Sequence, residues 1–199
     1  MLISHSNRFV YIRSQKTAST ATQIFLSNYC NSDDYLYLTK PLFMDKISPK
    51  INVKIVGDIN KDHTSIDYVL DKFPQTKNYT FITSVRNPID VEFSRWKYHG
   101  KPLTFSKKLD YYLSQPNYNQ EKYIFKKDGN IGIDFFIKRE TFESDLKLLC
   151  NKFDWEFKKP EYLNSTKELD FKISESDFKK IYSKYKKIFE LFNYKNLYN

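Results

Sequence analysis

Two stretches of this chain carry residue types that hold anions. The first runs Gln15-Lys16-Thr17-Ala18-Ser19-Thr20, where the apolar run Phe9-Val10-Tyr11-Ile12 gives way, past Arg13, to a small-residue helical pattern. A helix start exposes unpaired backbone N–H groups and the positive end of the dipole, so phosphate settles there readily. Lys16 adds a mobile cation, while Thr17, Ser19, Thr20 and Thr22 add hydroxyls. The small Ala18 lets an anion approach the backbone. The glycines and the closing Gly-Lys-Ser/Thr of a Walker loop are missing, and the chain holds only 4 glycines in all. The same residues also suit an ordinary capped helix start beside an exposed lysine.

The second stretch, TSVRNPIDVEFSRW, repeats the design: a strand end, Arg86, a helix opened by Pro88, then Ser94 on that helix. An arginine at the carboxyl end of a parallel strand points into the crevice where such sheets bind ligands, and a guanidinium contacts phosphate through two parallel hydrogen bonds. A structural salt bridge from Arg86 to Asp90 or Glu92 is the alternative. Of the three histidines, His5, His63 and His99, His63 stands between a strand end and a helix start. An imidazole with a pKa near about 6.5 suits general-base work at neutral pH. Capping its helix beside Asp62 is the other role open to His63, and Asp58 and Asp62 are the alternative bases. His5 is expected at the surface.

Such residues need elements to position them. Short apolar runs alternating with helical periods indicate an α/β protein. Strands are expected at Phe9–Ile12, Tyr35–Leu38, Ile51–Val56, Tyr79–Val85 and Ile133–Ile137. Ser19–Tyr29 is an expected helix, and Ile66, Val69, Leu70 and Phe73 recur at the helical period before Pro74. Further helices are expected from Pro88 through Trp96, over Phe105–Leu113 and Phe142–Phe153, and after a Ser174 cap. Gln115–Gly132 holds most of the turn formers and is expected to be a mobile loop.

The 199 residues fit a single domain, 1–199, with 40% hydrophobic residues to build its core. A net charge of +9 favours anionic partners, although the lysines are spread along the chain. No run is long enough to span a membrane. Cys30 and Cys150 match neither a metal nor a disulfide framework and suit buried thiols in a reducing, cytoplasmic setting.

QKTAST, followed by VRNP and Ser94, resembles the sulfotransferases that use 3′-phosphoadenosine 5′-phosphosulfate (PAPS), and is most similar to the carbohydrate sulfotransferases of the heparan sulfate 2-O and chondroitin type. NQEKYI, IDFFIKRETFESDL and the ending IYSKYKKIFELFNY extend the similarity over nearly the whole chain. Gln15 replaces a common proline and Ala18 a common glycine, and the acceptor loops are short. The resemblance implies a central, mostly parallel sheet flanked by helices, in the P-loop-like sulfotransferase fold. It assigns Lys16, Thr17, Ala18, Ser19 and Thr20 to the 5′-phosphosulfate and Arg86 and Ser94 to the 3′-phosphate. Ser165 and Lys167 would close over the nucleotide. Lys16 and His63 would be catalytic, the histidine as base, with no metal required.

An acceptor hydroxyl on a carbohydrate is implied, with Trp96, Tyr98 and His99 as substrate-binding residues and no nucleic acid. Trp96 and Tyr98 suit a helix core equally well. Without a stem or membrane anchor, a cytoplasmic protein of bacterial or viral origin is expected rather than a Golgi enzyme. A P-loop-like nucleotide kinase and a basic nucleic-acid or polyanion-binding protein are the rival readings.

Overall fold

The computed structural model describes residues 1–41, 43–56, 63–99, 104–115, 119–161 and 173–194. The chain divides into two compact units, each made from two separated stretches: Met1–Val85 with Lys122–Leu163, and Arg86–Glu121 with Asn164–Asn199.

The first unit is built on a six-stranded sheet: β1 (Leu2–Ser4), β2 (Phe9–Ile12), β3 (Tyr35–Leu38), β4 (Asn52–Ile55), β5 (Thr80–Val85) and β6 (Phe135–Lys138). The strand order is β4-β3-β1-β2-β5-β6. Pairs β2–β5, β5–β6 and β3–β4 are parallel, whereas β1 runs antiparallel to both its neighbours. Five strands therefore point one way, and β1 alone reverses. The expected α/β class and mostly parallel sheet are observed.

Side chains alternate across the sheet as the pleat requires. Leu2, Phe9, Tyr11, Leu36 and Ile82 face one core, closed by α1 (Ser19–Ser27) and α5 (Phe142–Phe153). Met1, Ile3, Val10, Ile12 and Phe81 face the other, with Ile66 and Val69 of α2 (Ile66–Lys72) and with Tyr123 and Ile133. All four residues of β2 are buried because both of its faces are covered. That is the environment which calls for a continuous apolar run.

Two expectations are corrected here. The segment from Asn119 to Gly132 is not a featureless loop: a 3₁₀ turn covers Gln120–Tyr123, Tyr123 and Ile124 are buried, and Phe125 bridges Ile131 across a turn in which Gly129 takes φ 85°. His5 is not a bare surface residue, since its Nδ1 lies 3.0 Å from the Tyr79 hydroxyl and its ring meets Tyr35 edge-on.

The second unit is helical: α3 (Pro88–Tyr98), α4 (Phe105–Ser114) and α6 (Glu175–Phe192). Ser174 caps α6, accepting the Asp177 N–H at 3.1 Å. Inside the unit Arg95 Nη1 donates to Glu92 Oε1 at 2.5 Å, and the Tyr185 hydroxyl donates to the same oxygen. Arg95, Glu92 and Tyr185 are all buried. α6 leaves helical geometry at Tyr185, with φ −111° and ψ 22°. Among the described residues no helix is long and apolar enough to cross a membrane.

Candidate anion-binding and catalytic site

In the first unit, β2 ends at Ile12 and α1 begins at Ser19. The six residues between them contain no glycine. Lys16 and Ala18 both adopt the left-handed conformation, at φ 62° and φ 65°, while Thr17 between them keeps a negative φ. Such alternation turns successive backbone N–H groups toward one concavity, a shape that binds anions. Ala18 is the N-cap of α1 and supplies no side-chain cap, so the first-turn N–H groups have no capping oxygen from that residue. A left-handed L-residue costs roughly 1–2 kcal/mol; strain of that kind gathers at functional loops.

The loop is laced to the sheet from below. Ser14 Oγ lies 2.6 Å from Thr17 Oγ1 and donates to the Ser84 carbonyl. Ser84 Oγ pairs with the Tyr11 hydroxyl at 2.5 Å and with Thr22 Oγ1 at 3.1 Å. All of these side chains are buried, so each needs its partner in place. Thr17 is accordingly turned inward. Its hydroxyl serves the loop's own fold, meeting Ser14 Oγ and the Ser14 carbonyl.

Two neighbours complete the arrangement. Arg13, the first residue past β2, donates from Nη2 to Thr20 Oγ1 at 2.8 Å and from Nε to Ser19 Oγ at 3.3 Å. Its guanidinium therefore lies over the first turn of α1, joining Lys16 as a second cation of the loop. The Arg13 carbonyl lies 2.9 Å from His63 Nδ1. A carbonyl only accepts, so Nδ1 carries the hydrogen and the neutral ring keeps its lone pair on Nε2. The His63 ring also lies against Tyr123, with centroids 6.4 Å apart. His63 does not cap α2; Ser65 does, accepting the Tyr68 N–H at 3.3 Å.

Arg13 is the residue that sequence reasoning missed. Its signal is slight: a cation ending a buried strand, with hydroxyls six and seven positions later.

In the second unit Arg86 is held by its backbone. Its N–H donates to Gln120 Oε1 at 3.1 Å, and Gln120 Nε2 donates back to its carbonyl at 2.9 Å. Its guanidinium Nε lies 3.8 Å from Asp90 Oδ2, a long form of the salt bridge that is the alternative role for this arginine, while Glu92 is taken by Arg95. Asn87 caps α3, accepting the Ile89 N–H at 3.0 Å, with Pro88 as first helical residue. Ser94 is half-buried on α3. Trp96 is half-buried within an aromatic cluster, 5.4 Å from Phe93 and 6.1 Å from Phe105 by ring centroids. Tyr98 and His99 are exposed at the helix end. Ser165, Lys167, Asp58 and Asp62 lie outside the described residues.

The first unit thus gathers Lys16, Ala18, Ser19, Thr20 and His63 with Arg13; the second gathers Arg86, Ser94, Trp96, Tyr98 and His99 on or beside α3. The chain matches no family model, no curated protein and no solved structure.

Proposed function

We propose that this chain is a sulfotransferase, transferring the sulfuryl group of PAPS to a hydroxyl of an acceptor, by preference a carbohydrate. The observation that carries this reading is the loop between β2 and α1, where two left-handed residues, Lys16 and Ala18, lead into a helix start without a side-chain cap from Ala18, with the Arg13 guanidinium on its first-turn hydroxyls. The chemistry of those donors fits a doubly charged oxyanion group. The nucleotide supplies the sulfuryl group and leaves as adenosine 3′,5′-bisphosphate.

Every other part of the work falls to the chain. Lys16 and the backbone N–H groups of the loop place positive charge where the leaving phosphate gains negative charge, which favours the transition state over the ground state. Arg13 holds the Ser19 and Thr20 hydroxyls and keeps the first turn of α1 cationic. His63, oriented through Nδ1, takes the acceptor's proton at Nε2. Arg86 and Ser94 bind the 3′-phosphate, a group unchanged by the reaction.

Thermal unfolding tests the nucleotide reading. Adenosine 3′,5′-bisphosphate at a hundredfold excess over its dissociation constant adds about 2.7 kcal/mol of stability, and AMP at the same concentration adds much less. Equal shifts from the two nucleotides would remove the 3′-phosphate site; no shift from either would remove the nucleotide.

A further inference from the structure

We propose that Gln120 is a positioning residue for Arg86, and that through this pair the chain distinguishes a nucleotide with a 3′-phosphate from one without it. The inference rests on the nucleotide reading above and gives part of its specificity to a residue outside both anion-holding stretches. Gln120 and Arg86 belong to the same, helical unit. The β5 ladder ends at Val85, whose carbonyl accepts the Arg139 N–H at 2.8 Å. Arg86 comes next, and Asn87 already caps α3. The N–H and carbonyl of Arg86 thus fall between ladder and helix, where backbone groups still need partners.

Gln120 supplies both from one side chain. Its Oε1 accepts the Arg86 N–H at 3.1 Å, and its Nε2 donates to the Arg86 carbonyl at 2.9 Å. Gln120 is 1% exposed. It opens a 3₁₀ turn beside Asn119, whose Oδ1 accepts the Glu121 N–H at 3.0 Å. A glutamine amide carries donor and acceptor on one planar group, so the two bonds fix the peptide planes on either side of the Arg86 Cα. Those planes set the direction of the Cα–Cβ bond, and with it the point from which the guanidinium reaches out. Further along the side chain, Nε meets Asp90 Oδ2 at 3.8 Å, and Asp90 is exposed. Water screens such a pair, so a doubly charged phosphate competes with Asp90 for the guanidinium while the backbone stays where Gln120 holds it. Bidentate contact with phosphate depends on the orientation of the guanidinium fork, and a misplacement of about 1 Å costs a positioned group as much as roughly 10²-fold. Orientation of Arg86 is what the clamp on its backbone supplies.

Titration calorimetry on the whole chain tests this, with adenosine 3′,5′-bisphosphate and AMP as probes. Gln120→Met keeps an uncharged side chain of similar length and removes both bonds. The preference of the wild type for the bisphosphate is expected to fall about tenfold in this variant, with AMP affinity unchanged. Added to Arg86→Ala, the same substitution lowers the preference no further, because Gln120 acts through Arg86. Amide exchange on the wild type needs no variant to fold: the Arg86 N–H is expected to be protected although it lies beyond the ladder. Full preference in Gln120→Met, equal weakening of both nucleotides, a further loss on top of Arg86→Ala, or Arg86 exchanging like an unstructured amide would each overturn the role of Gln120 and leave the 3′-phosphate site standing. A wild type that binds the two nucleotides equally removes that site itself, and the role of Gln120 with it.

Discussion

The chain turns from a strand into a helix in similar fashion at two places, and solves the turn in opposite ways. Between β2 and α1 it passes through left-handed Lys16 and Ala18 and enters the helix with no side-chain cap. Between β5 and α3 it uses Asn87 as cap and Pro88 as first residue, and Gln120 engages both backbone groups of Arg86. The second corner caps its helix with a side chain; the first takes two left-handed residues and provides no side-chain cap. Alike in sequence design, the two corners differ in backbone conformation and in capping.

The largest effect expected from this contrast is at His63. His63→Ala lowers turnover by roughly 10²–10⁴ while nucleotide affinity stays as it was, because the imidazole serves the acceptor. The wild-type rate rises with pH through the imidazole pKa, since only the neutral ring accepts a proton, and the variant loses that limb. Steady-state rates across pH 5 to about 8 check both points. A variant with wild-type turnover and profile removes His63 from the mechanism.

Next come the two cations, which the contrast sets in different roles. Lys16→Ala costs about 10²–10³ in turnover at saturating nucleotide, the usual loss of one donor aimed at developing charge. Arg86→Ala weakens nucleotide affinity by ~10–100-fold, as expected for one charged hydrogen-bonding group, and spares turnover at saturation. Titration calorimetry and single-turnover kinetics separate the two; identical signatures for both variants would erase the distinction between the corners.

The smallest effects concern stability and have opposite signs. Asn87→Ala removes a cap and costs about 1 kcal/mol. Ala18→Gly relieves a left-handed L-residue and adds up to about 1 kcal/mol, a rise of roughly 2–4 °C in melting temperature for a chain of this size. Denaturation midpoints decide it. A loss of stability in Ala18→Gly means that the loop is not strained at that position.

Much of this was legible beforehand, and the reasons are specific. β2 announced itself because both of its faces are buried, and α5 matched its apolar spacing from Phe142 to Phe153. β1 escaped because three residues, Leu2–Ser4, are too few to show a period. The left-handed loop escaped because its usual marker is glycine, and here Lys16 and Ala18 take the conformation instead. The inward turn of Thr17 depends on Ser14, whose own hydroxyl is held by the Ser84 carbonyl far along the chain. Gln120 reaches Arg86 across 34 positions, about half that separation. Local chemistry is written locally; its clamps are not.

The division of the chain into interleaved stretches has a consequence for synthesis. After β5 the chain leaves the first unit at Val85, and it does not return until Lys122. The free edge of β5, which pairs with β6 through Ile82 to Val85, therefore waits on the ribosome while the first stretch of the helical unit is made. An open parallel edge recruits whatever strand is near, and domains form as units while the chain emerges. A nascent chain stalled before Phe135 would expose that edge, and chaperone capture or aggregation should peak there and fall once β6 has cleared the exit tunnel.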